Sequence, residues 1–311
     1  MVINMIFQFE HSNSTWVRYS EYEWKQAENG KLYLTACSNA QPTIYDPLKE
    51  YQQLVLDALY IGRLGMKQEQ DDEEIQAEIK AFAEKYGLFG LMTALPTTPS
   101  FMDYEAVYLP KNRFIKKETM STEEYLALFF PFDKLDVVKR SVESLWNIEG
   151  DNMMMALAVT MSDRPLAVNM SVQRQYAESY EWMKQVFTDW AFNATTVFLY
   201  YNDYDKLDDD YKQLMRQSIR AFDGNAPSYH IELLEQPTLV WDFHSLLLGI
   251  QMMLSFMLTD KNNPIRVCKK CSKFFVASRP SAVFCSPRCK NQYNVYKNRE
   301  KNKMTDEDET N

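Results

Sequence analysis

Four of the chain's five cysteines lie near its C-terminal end, as Cys268-Lys-Lys-Cys271 and, after thirteen intervening residues, Cys285-Ser-Pro-Arg-Cys289. Two close pairs joined by a short loop bring four thiolates to the corners of one tetrahedron with little loop entropy to overcome, the arrangement that Zn²⁺ takes in structural sites. A catalytic zinc keeps one position open for water, whereas four cysteines close the shell. The spacing therefore predicts a single structural Zn²⁺ held by Cys268, Cys271, Cys285 and Cys289. The competing reading is two chance pairs of buried thiols. Cys37 has no nearby partner in the sequence and reads as a core residue ending an apolar strand.

The flanks of the cysteines suit a small metal module. Phe274-Phe275-Val276 and Ala282-Val283-Phe284 enclose a polar, proline-containing turn and predict a β-hairpin. Ser286 and Pro287 are the residue types favoured at a helix N-cap and first helical position, which puts Cys289 in the first helical turn. A knuckle, a hairpin and a capped helix in this order make a treble-clef finger. The three histidines, His11, His230 and His244, all precede it, so the second metal site of a ββα-metal nuclease has no ligands here.

Charge is distributed unevenly. Residues 261–303 carry twelve Lys and Arg against the single acid Glu300, a net +11, and the last eight residues carry four acids. With a total of −9, residues 1–260 must sum to −16. Lysines near the knuckle can offset the −2 of a four-thiolate zinc site. Lys297, Arg299, Lys301 and Lys303 lie too far along the helix for that, roughly 12 to 21 Å from Cys289 at 1.5 Å per residue. On a helical wheel Cys289, Tyr293 and Tyr296 share a stripe expected to pack on the hairpin, and Lys290, Asn294, Lys297 and Lys301 share an outward one. Lys290, Asn291, Asn294, Lys297, Arg299, Lys301 and Lys303 are the candidate nucleic-acid contacts, the cations for phosphates and the amides for base edges.

Arg266-Val267-Cys268, Cys271 with Phe274-Phe275 behind it, and Phe284-Cys285-Ser286 followed by Cys289-Lys290-Asn291 resemble the bacterial CGNR zinc-finger proteins. The resemblance covers about residues 240–303. It implies a helical domain ahead of a C-terminal treble clef, a transcriptional role, Cys268, Cys271, Cys285 and Cys289 as ligands, and Asn291 as a helix residue of interest. An apolar helix from Trp241 to Leu258 would lead into the finger. The family's Gly and Arg are replaced here by Lys290 and Gln292.

The preceding residues read as mainly α, with a few short strands. The chain is 46% hydrophobic and has only eight glycines, a globular composition without the glycine signatures of nucleotide-binding α/β folds. Helices are predicted after Asp46-Pro47, after Asp71 up to Gly87, from a capping box at Ser121, over 135–146, over 173–191 and over 208–222. Lys31–Ala36 and Tyr229–Leu234 read as strands, and 96–99, 202–210 and 224–227 as loops. The run Leu246–Leu258 is too short for a bilayer. Asp242 and His244, two apart on the predicted helix, diverge and make a poor acid–base dyad. The Met153–Met155 cluster reads as core filling, and the run Asp208–Asp210 as a solvated helix start.

Three segments follow: a mostly helical domain over 1–260 suited to ligand sensing or dimerisation, a four-cysteine zinc finger with a basic helix over 261–303, and an acidic disordered tail over 304–311. The expected function is that of a cytoplasmic bacterial DNA-binding regulator, not an enzyme. Double-stranded DNA is its expected partner, no membrane is involved, a homodimer is open, and the small-molecule effector is unidentified. The alternatives are a zinc module for protein docking and an RNA-associated factor.

Overall fold

The computed structural model describes residues 12–67, 71–92, 107–108, 114–132, 174–220, 227–243, 245–260, 262–279 and 281–308. The chain divides into two compact units, one built from Met1–Tyr51, Gln70–Val186 and Asn225–Ile250, the other from Gln52–Glu69, Phe187–Gly224 and Gln251–Asn311. The predicted helix at 135–146, the Met153–Met155 cluster, His11, His244 and the 96–99 loop lie outside the described residues.

The first unit is richer in strands than a mainly helical reading allows. Ser12–Asn13 forms the short β1, and aromatic and β-branched runs form β2 (Trp16–Tyr19), β3 (Tyr22–Gln26), β4 (Leu32–Ala36) and β5 (Pro42–Tyr45). β2 pairs antiparallel with β5, Trp16 opposite Tyr45. Short strands β6 (Val107–Tyr108) and β7 (Thr119–Met120) pair with each other. β4 is central between β3 and β8 (Ala177–Ser179), so Tyr33, Leu34, Thr35 and Ala36 are all buried. In sequence Ala177–Ser179 read as the start of a helix; it is instead a strand, held by pairing of Tyr33 with Ser179 and Thr35 with Ala177.

The helices after Asp46, Asp71 and Ser121 begin where the sequence signals them, whereas the one expected over 173–191 runs instead over Tyr180–Asn202. Asp46 caps a 3₁₀ turn at Pro47–Glu50, which runs into α1 (Tyr51–Gly65). Asp71 accepts from the Glu73 amide at 3.0 Å and opens α2 (Asp72–Tyr86). Gly87 ends α2 with φ +90°, and a Cβ there would stand 2.4 Å from the Val17 carbonyl, so no other residue fits. The tail of α2 is tied to β2 and β5, with Trp16 Nε1 donating to the Leu88 carbonyl at 2.9 Å and the Tyr45 hydroxyl donating to the Tyr86 carbonyl at 2.7 Å. Ser121 caps α3 (Thr122–Ala127) through the Glu124 amide at 3.1 Å, but the Glu124 carboxylate turns to Lys117 instead of closing the box.

A second correction concerns residues 228–242. β9 (Ser228–Leu233) pairs antiparallel with β10 (Pro237–Asp242), and β1 lies parallel to β10. Trp241 and Asp242 therefore end a strand, and the apolar helix, α6 here (Leu246–Thr259), starts later. Among the described residues no helix is long and apolar enough to cross a membrane.

The second unit takes α1 from Gln52, the later part of α4 (Tyr180–Asn202), α5 (Asp209–Arg220), the end of α6 and the C-terminal module. α1 and α4 cross closely. A Cβ on Gly62 would fall 1.9 Å from the Phe187 carbonyl and 2.7 Å from Ala191, so the crossing needs glycine. The Asp208 carboxylate accepts from the Tyr211 amide at 2.8 Å and starts α5, as the acidic run suggested.

Candidate metal centre

The local folding of the cysteine segment starts with an antiparallel pair, β11 (Ile265–Val267) and β12 (Phe274–Val276), with Ile265 opposite Val276. The hairpin is thus made around the knuckle, not by Phe274–Val276 with Ala282–Phe284 as the sequence suggested. The Cys268 amide donates to the Lys273 carbonyl at 2.9 Å and the Ser272 amide to the Cys268 carbonyl at 2.8 Å, which closes the turn that carries Cys268 and Cys271. Ser272 adopts φ +59° to make it. Residues 282–284 form no strand; the Lys269 amide donates to the Val283 carbonyl at 2.9 Å and so brings the second cysteine pair to the knuckle. Ser286 accepts from the Cys289 amide at 3.2 Å, caps α7 (Pro287–Asp308) and places Cys289 in its first turn. α7 continues through Asp308 and takes in most of the acidic end.

These elements bring all four sulfurs within 4.8 Å of one another. Cys271 and Cys285 are 3.6 Å apart, and Cys285 and Cys289 3.5 Å. A tetrahedron with metal–sulfur bonds of about 2.3 Å has edges of about 3.8 Å, so the donor set fits one ion with only small adjustments. Among the described residues no other group of Cys, His, Asp or Glu does so. The chemistry of the thiols points the same way. Burial pushes the Cys268 thiol up, but amides of Cys271, Cys285 and Lys270 aimed at its sulfur bring it down to about 6. Burial and the neighbouring sulfurs push Cys285 up to about 12, and burial raises Cys271. Four thiols this close cannot all ionise unless a cation shares their charge. The cluster can therefore hold a metal ion. Cys37 is set apart; burial and then Glu21 and Glu23 raise its thiol, the opposite of an activated nucleophile.

Basic residues around the knuckle have found aromatic partners. Lys269 lies over the Tyr293 ring at 5.2 Å and Lys270 over Tyr296 at 4.0 Å. The Cys289-Tyr293-Tyr296 stripe therefore packs on the knuckle lysines and on Phe284, whose ring is 5.3 Å from Tyr293. Lys273 covers Tyr60 at 4.6 Å and Arg63 covers Phe274 at 5.7 Å, so the module rests on α1. No sequence signal marked Tyr60 or Arg63, since neither spacing nor composition links α1 to residues so much later in the chain.

The outward stripe is where the wheel put it. Lys290, Asn291, Asn294 and Lys297 lie along α7 with their side chains toward solvent, and among the described residues Lys290 and Lys297 make no ion pair. The backbone at Arg299, Lys301 and Lys303 continues the same helix, and their side chains lie outside the described residues. Arg266, on β11, keeps a buried Nε without a hydrogen-bond partner.

No protein-family model, curated protein or solved structure matches the chain.

One acid–base pair escaped the sequence reading. Asp242 ends β10, and its Oδ2 meets Nδ1 of His230 across the hairpin at 2.7 Å. The His230 side chain is 48% exposed on an edge strand, which suits a cross-strand pair better than a reaction centre shielded from water. The signal that could have found it is the alternation in Ser228–Leu233, which puts His230 and Asp242 on the same face once the two strands pair.

Proposed function

We propose that the C-terminal segment is a treble-clef-type module built on one structural zinc ion, and that its final helix binds nucleic acid, double-stranded DNA in the first instance. In this reading the protein is a cytoplasmic regulator and no catalyst. Zinc is favoured because an all-thiolate tetrahedral set suits it, and a reducing compartment keeps those thiols available. The observation that carries the nucleic-acid reading is the contrast between two sets of cations. Lys269, Lys270 and Lys273 lie over aromatic rings, whereas Lys290 and Lys297 face solvent, with Asn291 and Asn294 beside them. Cations interleaved with amides on one solvent-facing side of a helix are suited to phosphates and base edges together.

A salt titration tests it. The zinc-loaded chain should bind duplex DNA with affinity that falls steeply as salt rises. Changing Lys290, Lys297 and Lys301 together to Ala should weaken binding to every sequence and flatten the log–log slope by about one unit for each phosphate that is no longer neutralised. Asn291→Ala or Asn294→Ala should instead cost about 1 to 3 kcal/mol on a preferred site and little on random DNA. Preference for single-stranded RNA in the same titration would move the module to the RNA alternative.

A second reading has its own observation. Val295 and Tyr296, on the same helix, are 49% and 55% exposed, apolar surface that a protein partner could cover. Equal DNA binding by wild type and the folded, metal-loaded triple lysine variant would leave protein docking as the function of α7.

A further inference from the structure

Within the second unit, α4, α5 and α6 line a pocket of about 490 Å³ that opens to solvent, in the range of small-molecule sites. Its lining mixes apolar and cationic side chains that run beside one another along α5. Val197, Met215, Ile219 and Leu258 supply apolar wall, and Arg216 and Arg220 supply the charge. Being four apart on α5, the two guanidiniums lie one above the other on one helix face. Arg216 Nε donates to the Tyr200 hydroxyl at 2.8 Å, which orients the guanidinium and leaves its other N–H groups available. Among the described residues neither arginine meets a carboxylate, and no lining residue is acidic.

Thr196 and Tyr201 also line it, and three further polar groups are committed elsewhere. Ser255 donates to the Gln251 carbonyl at 2.8 Å, Thr259 to that of Ser255 at 2.9 Å, and the Asn193 amide to that of Asp189 at 2.7 Å. The pocket therefore offers cationic donors on α5 beside a hydrocarbon wall. α5 is strongly amphipathic yet buries none of its residues fully, so its apolar side, Met215 and Ile219, still has surface to offer. Arg220 also suits the helix C-terminus through the dipole. That preference gives no account of Arg216, a full turn earlier.

We propose that this cavity binds an amphipathic carboxylate, the head group paired with Arg216 and Arg220 and an unbranched hydrocarbon body lying along Val197, Met215, Ile219 and Leu258. Bidentate geometry favours a carboxylate on a guanidinium, and the apolar lining excludes small polar anions by giving them nothing to bury. This assigns an effector class to the helical part of the chain and does not depend on the nucleic-acid reading, because the guest is measured without nucleic acid.

Titration calorimetry on the full zinc-loaded chain tests it with three probes: decanoate, decanol and acetate. Decanoate should bind one site per chain, below its micellar concentration, and acetate should not bind measurably. Arg216→Met with Arg220→Met should weaken decanoate at least tenfold and leave decanol nearly unchanged. Leu258→Trp, which fills apolar space from α6 and leaves both arginines of α5 in place, should abolish binding of both ten-carbon probes. Zinc content and circular dichroism verify that each variant is folded, and either variant alone suffices if the other is not. Absence of saturable decanoate binding to the wild type overturns the proposal. So does decanoate affinity that neither the arginine pair nor Leu258→Trp changes.

Discussion

Cys285→Ser is expected to leave the purified chain with far less than one zinc per molecule and to unfold the segment from Ile265 to Cys289. Cys285 lies next to both Cys271 and Cys289, so serine there removes one tetrahedral corner. A serine hydroxyl does not ionise at neutral pH and cannot replace a thiolate. What remains is a hairpin of three paired residues on each side and a small core of Ile265, Phe274 and Ala277. Such a core is too small to fold alone, whereas a structural zinc supplies about 10 to 16 kcal/mol. The loss should reach α1, because Lys273 leaves Tyr60 and Phe274 leaves Arg63 when the hairpin opens. The first unit has its own core around Trp16, Tyr22, Leu34, Ile79 and Phe89 and should stay folded. Metal analysis and amide hydrogen exchange over 262–297 measure the two effects. Full zinc in the serine variant, or a protected hairpin in wild type stripped of metal, would falsify the proposed zinc-dependent fold.

Legibility in the sequence followed the range of the interactions. Features fixed within a few residues could be read directly: the four clustered cysteines, the Ser286–Pro287 helix start, the Asp46, Asp71 and Ser121 caps, the Gly87 stop and the solvent-facing side carrying Lys290 and Lys297. Features fixed by distant partners could not. Phe274–Val276 has equal claim on either neighbouring apolar run, and only closure of the knuckle through Lys273 decides for Ile265–Val267. Ala177–Ser179 begins a helical pattern, yet it lies against β4, and tertiary pairing overrides local propensity there. Trp241 and Asp242 carried an apolar pattern continuous with α6, and the strand Ser228–Leu233 captured them. The Gly62 crossing and the contacts of Tyr60 and Arg63 with the metal module depend on helices meeting in space, for which one sequence holds no register.

The second large effect is expected at a residue with no signature in the sequence. Glu178, on β8, is 1% exposed, and its carboxylate accepts from the amides of Phe89 at 2.9 Å, Gly90 at 2.7 Å and Leu91 at 3.0 Å and from the Tyr176 hydroxyl at 2.8 Å. Tyr176 in turn accepts from the Met92 amide at 3.2 Å. Burial pushes the carboxyl above its ordinary range, while the Leu91 and Phe89 amides, the Tyr176 hydroxyl and the Gly90 amide draw it back. Gly90, at φ +75°, turns successive amides toward one point, a nest for an anion supplied by the protein itself. Glu178→Ala strands four donors at once, three of them buried and that of Gly90 part-buried. At about 1 to 3 kcal/mol for each unsatisfied buried group, reduced by relaxation and water entry, the first unit should lose about 4 kcal/mol. Glu178→Gln keeps one oxygen for Gly90, Leu91 and Tyr176 but turns an NH₂ toward the Phe89 amide, and should cost about half as much. Urea unfolding followed by tryptophan fluorescence gives both values. If the alanine variant unfolds within about 1 kcal/mol of wild type, water has taken the carboxylate's place and the tie between β8 and residues 89–92 is not what holds this unit together.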